Sequence, residues 1–251
     1  MIYEVCIDSV AGALAAEAGG AHRVELCSAL FDGGLTPTLG TVERTMERVT
    51  SIRVHPIIRA RGGDFVFGAD ELAAMRRDTE LIAGTGVHGI VIGALTPGGD
   101  VDVDACRTLM EAAPGLSVTF HRAFDMARDP FAALETLIDI GVDRVLTSGQ
   151  ESLALEGAPL IAELVRAAGE RVIVMPGAGV TARNLDRIHA ETGAAEYHFG
   201  VWETAESPMV HRNPYPFMGG ELRRPEFSRD ITSGVGVADF VAAGERIAGR
   251  P

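Results

Sequence analysis

The sequence predicts an α/β fold, a single (β/α)8 barrel of the TIM type, on three observations. Eight short apolar runs alternate along the chain with eight helical patterns. Regular alternation of strand and helix is typical of parallel strands joined by helices. The length of 251 residues is close to the ~250 residues typical of one such barrel. An open doubly wound sheet is the alternative, and the length favours the closed barrel over it.

The predicted strands are short apolar runs that end in polar or glycine-rich turns. They are Ile2–Ile7, Arg23–Cys27, Arg53–Arg59, Gly89–Gly93, Ser117–His121, Arg144–Thr147, Val172–Met175 and Glu196–Phe199. The helices predicted between and after them include Gly40–Arg48, Ala69–Gly84, Asp102–Ala112, Asp129–Ile140, Leu153–Ala168, Ala182–Glu191 and Val237–Ile247. Asp129-Pro130 predicts an N-cap followed by proline at the first helical position. Gly141 and Gly169 fit helix C-termini.

The chain is predicted to form one domain over residues 1–251, with an irregular insertion at 201–233 before the last helix. That insertion contains several prolines and aromatic residues, among them Pro208, Pro214, Trp202 and Tyr215. Because long connections without regular structure are uncommon in compact domains, we expect this segment to be a lid or an oligomer contact.

Composition excludes several classes of function. The net charge of -13 argues against binding to nucleic acid or to anionic membranes, and no stretch is suited to span a membrane. Because the first strand begins at Met1-Ile2-Tyr3, no signal peptide is expected. The content of only three cysteines fits a protein of the reduced cytoplasm. All basic side chains counted as Lys+Arg are arginines. The absence of lysine excludes a Schiff-base aldolase and an internal aldimine with pyridoxal phosphate.

The period of two in the strands predicts an unusually polar barrel interior. If the apolar residues face the helices, as Val5, Val24 and Phe120 would, the alternate residues face the barrel axis. The axis-facing set is Glu4, Cys6, Glu25, Cys27, His55, Ile57, Arg59, Thr119, His121, Glu196 and His198. Because a buried unpaired charge costs several kcal/mol, these groups are expected to pair with one another, to bind a ligand, or both.

Two cysteines occupy equivalent places on the first two strands, in Glu4-Val5-Cys6 and Glu25-Leu26-Cys27. Neighbouring strands lie about 4.8 Å apart, so the two thiols are predicted to sit side by side near the carboxyl end of the barrel. Paired thiolates suit Cu(I), and Cys6 and Cys27 are therefore the candidate metal ligands. The alternative is that both are small buried apolar residues.

A second set of residues predicts the binding of a small anion. Arg59 and Arg61 with Gly62-Gly63-Asp64 follow the third strand, and two arginines beside a glycine pair suit phosphate or carboxylate. Alternatively, Arg59 pairs with Glu4 or Glu25 while Arg61 and Asp64 shape the loop, and the two interpretations can coexist. Ser148, Gly177 and Gly179 lie in later loops, where backbone N–H groups commonly bind phosphate in this fold.

Histidines and carboxylates on the same axis provide candidate acid–base groups. Val118-Thr119-Phe120-His121-Arg122-Ala123-Phe124-Asp125 reads as a strand that ends in polar groups. We assign candidate catalytic roles to Glu25, His121 and His198, and candidate ligand-binding roles to Glu4, Arg122 and Asp125. A set of carboxylates and imidazoles would also suit a harder ion such as Zn²⁺ or Mn²⁺.

Together these segments resemble the CutC family. The resemblance runs in order over about residues 1–200. It rests on Glu4-Val5-Cys6 with Asp8-Ser9, Arg23-Val24-Glu25-Leu26-Cys27, Gly33-Gly34-Leu35-Thr36-Pro37, His55-Pro56-Ile57-Ile58-Arg59, Arg61-Gly62-Gly63-Asp64-Phe65, Val118 to Asp125 and Arg144-Val145-Leu146-Thr147-Ser148-Gly149. The resemblance implies a cytoplasmic, oligomeric eightfold barrel, a homodimer or larger, associated with copper homeostasis. It also implies that Cys6 and Cys27 stand where a Cu(I) site has been proposed in that family.

The run Phe199-Gly200-Val201-Trp202-Glu203 departs from the family pattern, in which small residues and often a basic one follow the histidine at the position of His198. Either the function differs at this loop or Trp202 caps the pocket. Two hypotheses of function therefore stand. The first is copper homeostasis with Cu(I) bound by the paired cysteines and no other cofactor. The second is an enzyme acting on a small phosphorylated or carboxylated metabolite by His/Glu acid–base chemistry. A third interpretation is an ion-pair network without a ligand.

Overall fold

The computed structural model describes residues 1–216 and 226–249, and in this part of the chain the predicted barrel is confirmed. Its parallel strands form two four-stranded sheets in the orders β3-β2-β1-β8 and β4-β5-β6-β7. The strands are β1 (Ile2–Ile7), β2 (Arg23–Leu26), β3 (Arg53–Pro56), β4 (Gly89–Ile92), β5 (Ser117–Phe120), β6 (Arg144–Thr147), β7 (Ile173–Pro176) and β8 (Glu196–Phe199). The two sheets meet where Ile58 N–H donates to the Val91 carbonyl at 2.8 Å, and where β7 lies beside β8.

Eight helices surround the strands in the described residues. They are α1 (Val10–Ala18), α2 (Leu39–Arg48), α3 (Ala69–Ala83), α4 (Val103–Glu111), α5 (Pro130–Ile140), α6 (Ala158–Ala168), α7 (Leu185–Thr192) and α8 (Gly234–Ala248). Asp129 caps α5 as predicted, because its carboxylate accepts from Phe131 N–H and Ala132 N–H at 2.9 and 3.1 Å. The helix predicted from Leu153 begins instead at Ala158, after a turn in which the Leu153 carbonyl accepts from Gly157 N–H. No helix in the described ranges is both long enough and apolar enough to cross a bilayer.

The described parts of the segment 201–233, residues 201–216 and 226–233, are more regular than the sequence predicts. Trp202–Glu206 (β9) and Ser228–Thr232 (β10) form a two-stranded antiparallel ribbon in which Trp202 is opposite Thr232. Most of their side chains are exposed, so no apolar alternation marks them in the sequence. Residues 217–225, which the prediction of an irregular insertion includes, lie outside the described residues. A role as lid or oligomer contact stays a prediction.

The apolar core lies between the barrel and its helices. Val5, Val24 and Phe120 are fully buried on the helix-facing side of their strands, as the period of two predicts. The last helix packs closely on the barrel, with the Phe199 and Phe240 rings stacked at 3.6 Å. These apolar side chains thus lie outside the barrel, and the polar side chains in its interior form the candidate functional site.

Candidate functional site

Four buried charged side chains fill the lower part of the barrel. Arg23 pairs with Glu4 and, at 2.6 Å, with Glu196, whose carboxylate also accepts from Arg144 Nε at 2.9 Å. Each of these side chains is at most 10% exposed. The alternative in which Arg59 pairs with Glu4 or Glu25 is not the arrangement of the described residues. Arg23, next to Glu4 in the strand register, pairs with that carboxylate, and Arg59 donates to backbone carbonyls. We call Glu4, Arg23, Arg144 and Glu196 the ion-pair layer.

The two predicted metal ligands lie together above this layer. Cys6 Sγ and Cys27 Sγ are 3.9 Å apart, with Cys27 buried and Cys6 partly exposed. The strand register sets Cys6 beside Glu25, and one ligand atom from each of Cys6, Glu25 and Cys27 lies within 4.8 Å of the others. The parity of the strands predicted this cluster, and the structure brings it together.

His198 connects the ion-pair layer to the thiols. Its Nδ1 is 2.7 Å from Glu4 Oε1, so Nδ1–H donates to that carboxylate, and its Nε2 is 3.6 Å from Glu25 Oε2. Glu4 therefore fixes the orientation of the ring and directs its second nitrogen toward Cys6 and Glu25. This is the usual way in which a carboxylate fixes the tautomer of a functional histidine.

Four groups in this cluster, namely Cys6, Cys27, Glu25 and His198, have shifted pKa values. A hydrogen bond from the Cys27 thiol, together with the nearby His198, lowers the pKa of Cys6 to about 5. Burial and the Cys6 thiolate raise the pKa of Glu25. Burial opposes protonation of His198, yet its bonds to Cys6 and Glu4 hold its pKa well above the ordinary value. The hydrogen bond of Cys27 to Cys6, together with burial, raises the pKa of Cys27. These shifts favour a Cys6 thiolate beside a His198 imidazolium, and they favour the protonated form of Glu25.

A pocket of about 330 Å³ opens above the cluster at the carboxyl ends of the strands. Its walls contain many of the predicted site residues and several apolar ones. They are Cys6, Glu25, Asp32, Gly33, Ile57, Arg59, Phe65, His121, Arg122, Asp125, Met126, Leu146 and His198. Asp32, Gly33, Met126 and Leu146 were not assigned to the site from the sequence. The sequence could have identified these four residues only by their position, since each lies at the carboxyl end of a strand or in the segment that follows it.

Arg59 forms one wall of the pocket and is 5% exposed. Its Nη1 donates to the carbonyls of Asp32 and Gly34 at 2.8 and 3.2 Å, and its Nη2 donates to the Gly63 carbonyl at 2.9 Å. The guanidinium carbon lies 4.9 Å from the centroid of the Phe65 ring. Arg59 is thus held by carbonyl groups and an aromatic face.

His121 is a buried, neutral ring, and among the described residues one of its nitrogens is free to donate a hydrogen bond. Its Nδ1 accepts from Ala123 N–H at 3.1 Å, so the proton of the neutral ring is on Nε2. Burial and the charge of Arg59 lower the pKa of His121 to about 3. The close approach of Gly93, where any Cβ would collide with the ring, fixes its position.

Arg122, Asp125 and Ser148 form a connected group at the rim. Asp125 accepts from Arg122 Nε at 2.7 Å and from Ser148 N–H and Oγ, each at about 3.0 Å. Arg122 and Asp125 line the pocket, whereas Ser148 is buried behind them. The Asp125 carboxylate therefore ties the loop after β6 to the end of β5.

Six predicted ligand-binding residues lie outside the pocket lining. Two of them are Glu4, in the ion-pair layer, and Ser148, behind the rim. Arg61 pairs with Asp64 at 3.0 Å and Glu71 at 2.6 Å on the surface, which is the loop-shaping role considered from the sequence. Gly177 touches the pocket wall at Leu146 and His198, but its N–H donates to the Thr147 carbonyl at 2.9 Å. Gly179 packs against Leu153.

Trp202 does not cap the main pocket. It lines a separate, smaller cavity of about 190 Å³ with Asp8, Leu30, Phe31 and Asp230. The departure from the family pattern after His198 therefore begins the exposed ribbon β9–β10 and leaves the walls of the main pocket intact.

Comparisons with known proteins agree with the resemblance seen in the sequence. The model of the CutC family matches residues 1–202. A family protein CutC from Bacteroides fragilis (strain YCH46) is 45% identical over 240 residues, covering 96% of each chain. The Homo sapiens copper homeostasis protein cutC homolog is 48% identical over 231 residues, covering 92% of this chain and 84% of the human protein. The crystal structure of a CutC protein from Streptococcus agalactiae matches with a TM-score of 0.76 at 32% identity, covering 79% of this chain and 98% of that one.

Proposed function

Because this chain belongs to the CutC family, we propose that it binds Cu(I) through Cys6 and Cys27 and acts in copper homeostasis. The observation that carries the proposal is the 3.9 Å separation of the two sulfurs. Metal–thiolate bonds are about 2.3 Å long for zinc, so two sulfurs that share an ion of similar size lie at most about 4.6 Å apart. Soft thiolates are also the ligands that select Cu(I) over harder ions.

The charges around the thiols support the same ion. Two thiolates and one Cu(I) carry a single net negative charge, and the His198 imidazolium beside them offsets it. Glu4 holds His198 in place at 2.7 Å, so this compensation is built into the barrel. The human relative is named a copper homeostasis protein, which agrees with the proposal for this chain.

The test is a Cu(I) titration of the reduced protein against a competing chelator. We expect one tightly bound Cu(I) per chain in the wild type, and loss of that site in Cys6→Ser/Cys27→Ser. Cys106→Ala is the matched control, because Cys106 is a fully buried thiol in α4, outside the pocket lining. Equal affinity in the wild type and the double variant would contradict the proposal.

A second function is supported by the pocket itself. Glu25 and His198 at its floor have raised pKa values, and such groups are suited to acid–base chemistry. The neutral His121 ring in its wall can donate a hydrogen bond from Nε2 to a substrate. We therefore keep as an alternative an enzyme acting on a small phosphorylated or carboxylated metabolite. A screen for turnover tests it, and unchanged turnover of a discovered substrate by Glu25→Gln and His121→Asn would remove these catalytic assignments.

We also propose that the protein is cytoplasmic and forms a homodimer or larger homo-oligomer. Three free cysteines support a reduced compartment. Val210 and Tyr215 of the insertion are 99% and 92% exposed, which supports this segment as a contact between copies. Light scattering after size-exclusion chromatography tests the oligomer, and an unchanged mass in Val210→Ser/Tyr215→Ser would exclude this contact.

A further inference from the structure

The pocket wall contains a buried cation, Arg59, that makes no salt bridge within the part of the chain that the structure describes. The carboxylate of Asp32, which lines the same pocket, acts on its charge without forming a salt bridge. No carboxylate of residues 1–216 and 226–249 lies within 4.0 Å of the Arg59 guanidinium nitrogens. The ion-pair layer shows the opposite pattern, since each of its arginines meets a carboxylate. Because an uncompensated buried charge costs several kcal/mol, the three carbonyls that hold Arg59 offset only part of that cost.

The unused hydrogen-bond donors of Arg59 are adjacent. A guanidinium has five N–H groups, and three of them donate to the carbonyls of Asp32, Gly34 and Gly63. The remaining two are the Nε–H, which has no partner among the described residues, and one N–H of Nη2. Donors on these neighbouring nitrogens suit the two oxygens of a carboxylate.

A third unused donor belongs to the same wall. His121 Nε2 is buried and also without a partner in the part of the chain that the structure describes. Phe65 touches both groups, with its ring centroid 5.1 Å from that of His121 and 4.9 Å from the Arg59 guanidinium carbon. Both donor atoms are buried, so a ligand reaches them only after a neighbouring side chain moves. Phe65, which is partly exposed and lines the pocket, is the neighbour shared by both.

From these contacts we infer that the pocket binds a small organic carboxylate, held by Arg59 and His121 beneath a movable Phe65. Asp32 and Asp125 already bring negative charge to this pocket, so a carboxylate monoanion meets less repulsion there than a phosphate dianion does. Ile57, Met126 and Leu146 line the same pocket, so the ligand carries an apolar body. A cavity of about 330 Å³ is at the small end of ligand sites. Binding at Arg59 and His121 needs no copper, although Cys6 of the thiol pair lines the same pocket.

The test is calorimetric titration of the reduced, copper-free protein with acetate, butyrate and hexanoate, and with inorganic phosphate. We expect butyrate or hexanoate to bind more tightly than acetate, and phosphate to bind most weakly. Absence of carboxylate binding at millimolar concentration would overturn the inference, and tighter binding of phosphate would overturn the choice of a monoanion. Since this titration contains no copper, absence of carboxylate binding leaves the Cu(I) proposal unaffected. Absence of Cu(I) binding in the chelator experiment likewise leaves the carboxylate site unaffected.

Conservative variants assign the contacts. Arg59→Lys keeps the charge but loses the paired donors, and His121→Asn keeps an acceptor for Ala123 N–H but removes the Nε2 donor. Each is expected to weaken carboxylate binding about tenfold or more, the size of one charge-assisted hydrogen bond. Arg128→Lys, at an exposed ion pair with Asp100, is the matched control. If Arg59→Lys and His121→Asn both bind the carboxylate with unchanged affinity while thermal melts show that they are folded, the site is refuted. Loss of binding in Phe65→Ala would refute the role of Phe65 as a cover.

Discussion

Replacing Glu196 by glutamine tests whether the ion-pair layer holds the barrel interior together. The Glu196 carboxylate accepts from Arg23 Nη2 at 2.6 Å and from Arg144 Nε at 2.9 Å. In Glu196→Gln, Arg23 keeps Glu4, but Arg144 keeps only the hydroxyls of Ser117 and Thr119, at 3.1 and 3.2 Å. The substitution therefore leaves one buried guanidinium without a carboxylate.

The expected cost follows from that uncompensated charge. Removing one partner of a buried ion pair costs about 3–5 kcal/mol, a large share of the roughly 5–15 kcal/mol that stabilises a typical domain. For a chain of this size each kcal/mol lowers Tm by about 2–4 °C, so we expect a decrease of about 6–20 °C. Urea denaturation followed by circular dichroism at neutral pH measures the free energy of unfolding.

A double substitution is the control for this reasoning. Arg144→Met/Glu196→Met removes both charges and replaces them with apolar side chains, so it is expected to cost less than Glu196→Gln alone. A cost below about 1 kcal/mol for Glu196→Gln, or a larger cost for the double variant, would refute the assignment of a coupled buried network.

Two further predictions concern single contacts. Partial burial raises the pKa of Glu17, but hydrogen bonds from the N–H groups of Ser51 and its neighbours lower it to about 2. The ionised Glu17 therefore stabilises the fold above the ordinary pKa of 4.5, and this stabilisation is lost as the pH falls toward 2. We expect Glu17→Gln to lower the free energy of unfolding by about 2 kcal/mol at neutral pH. Urea denaturation at several pH values should show a smaller decrease in stability toward acid pH than in the wild type, and an unchanged pH dependence would contradict this role of Glu17. Gly93→Ala should cost about 1–3 kcal/mol by displacing the His121 ring, whereas Gly40→Ala, where no atom lies within 4 Å of the added Cβ, should cost nothing; equal thermal stability of the two variants would contradict the close packing at His121.

The sequence was sufficient to predict the barrel and which side chains face its axis. The alternation of apolar and polar residues determines the face of each strand, so Glu4, Cys6, Glu25, Cys27 and His198 were correctly placed in the interior. Adjacent parallel strands then bring Cys6 and Cys27 to 3.9 Å with no further information. These are consequences of local periodicity and of the strand order.

The partners of the buried charges could not be predicted in the same way. Parity gives the face of a strand but not the height of a residue along the barrel axis, which depends on the stagger between strands. Arg23 shares parity with Glu25, yet only the register beside Glu4 shows that it, rather than Arg59, neutralises that carboxylate. The proton position on His121 depends on a turn that places Ala123 N–H at its Nδ1, and no residue pattern reveals that contact.

X-ray absorption at the copper edge, on protein loaded with less than one equivalent of Cu(I), tests the central claim most directly. The claim is that Cys6 and Cys27 share one ion. It predicts two sulfur ligands in the first coordination shell of the wild type and of Cys106→Ala, and no sulfur shell in Cys6→Ser/Cys27→Ser. A shell of nitrogen and oxygen alone in the wild type, or a sulfur shell that persists in the double variant, would contradict the assignment of these thiols as the copper site.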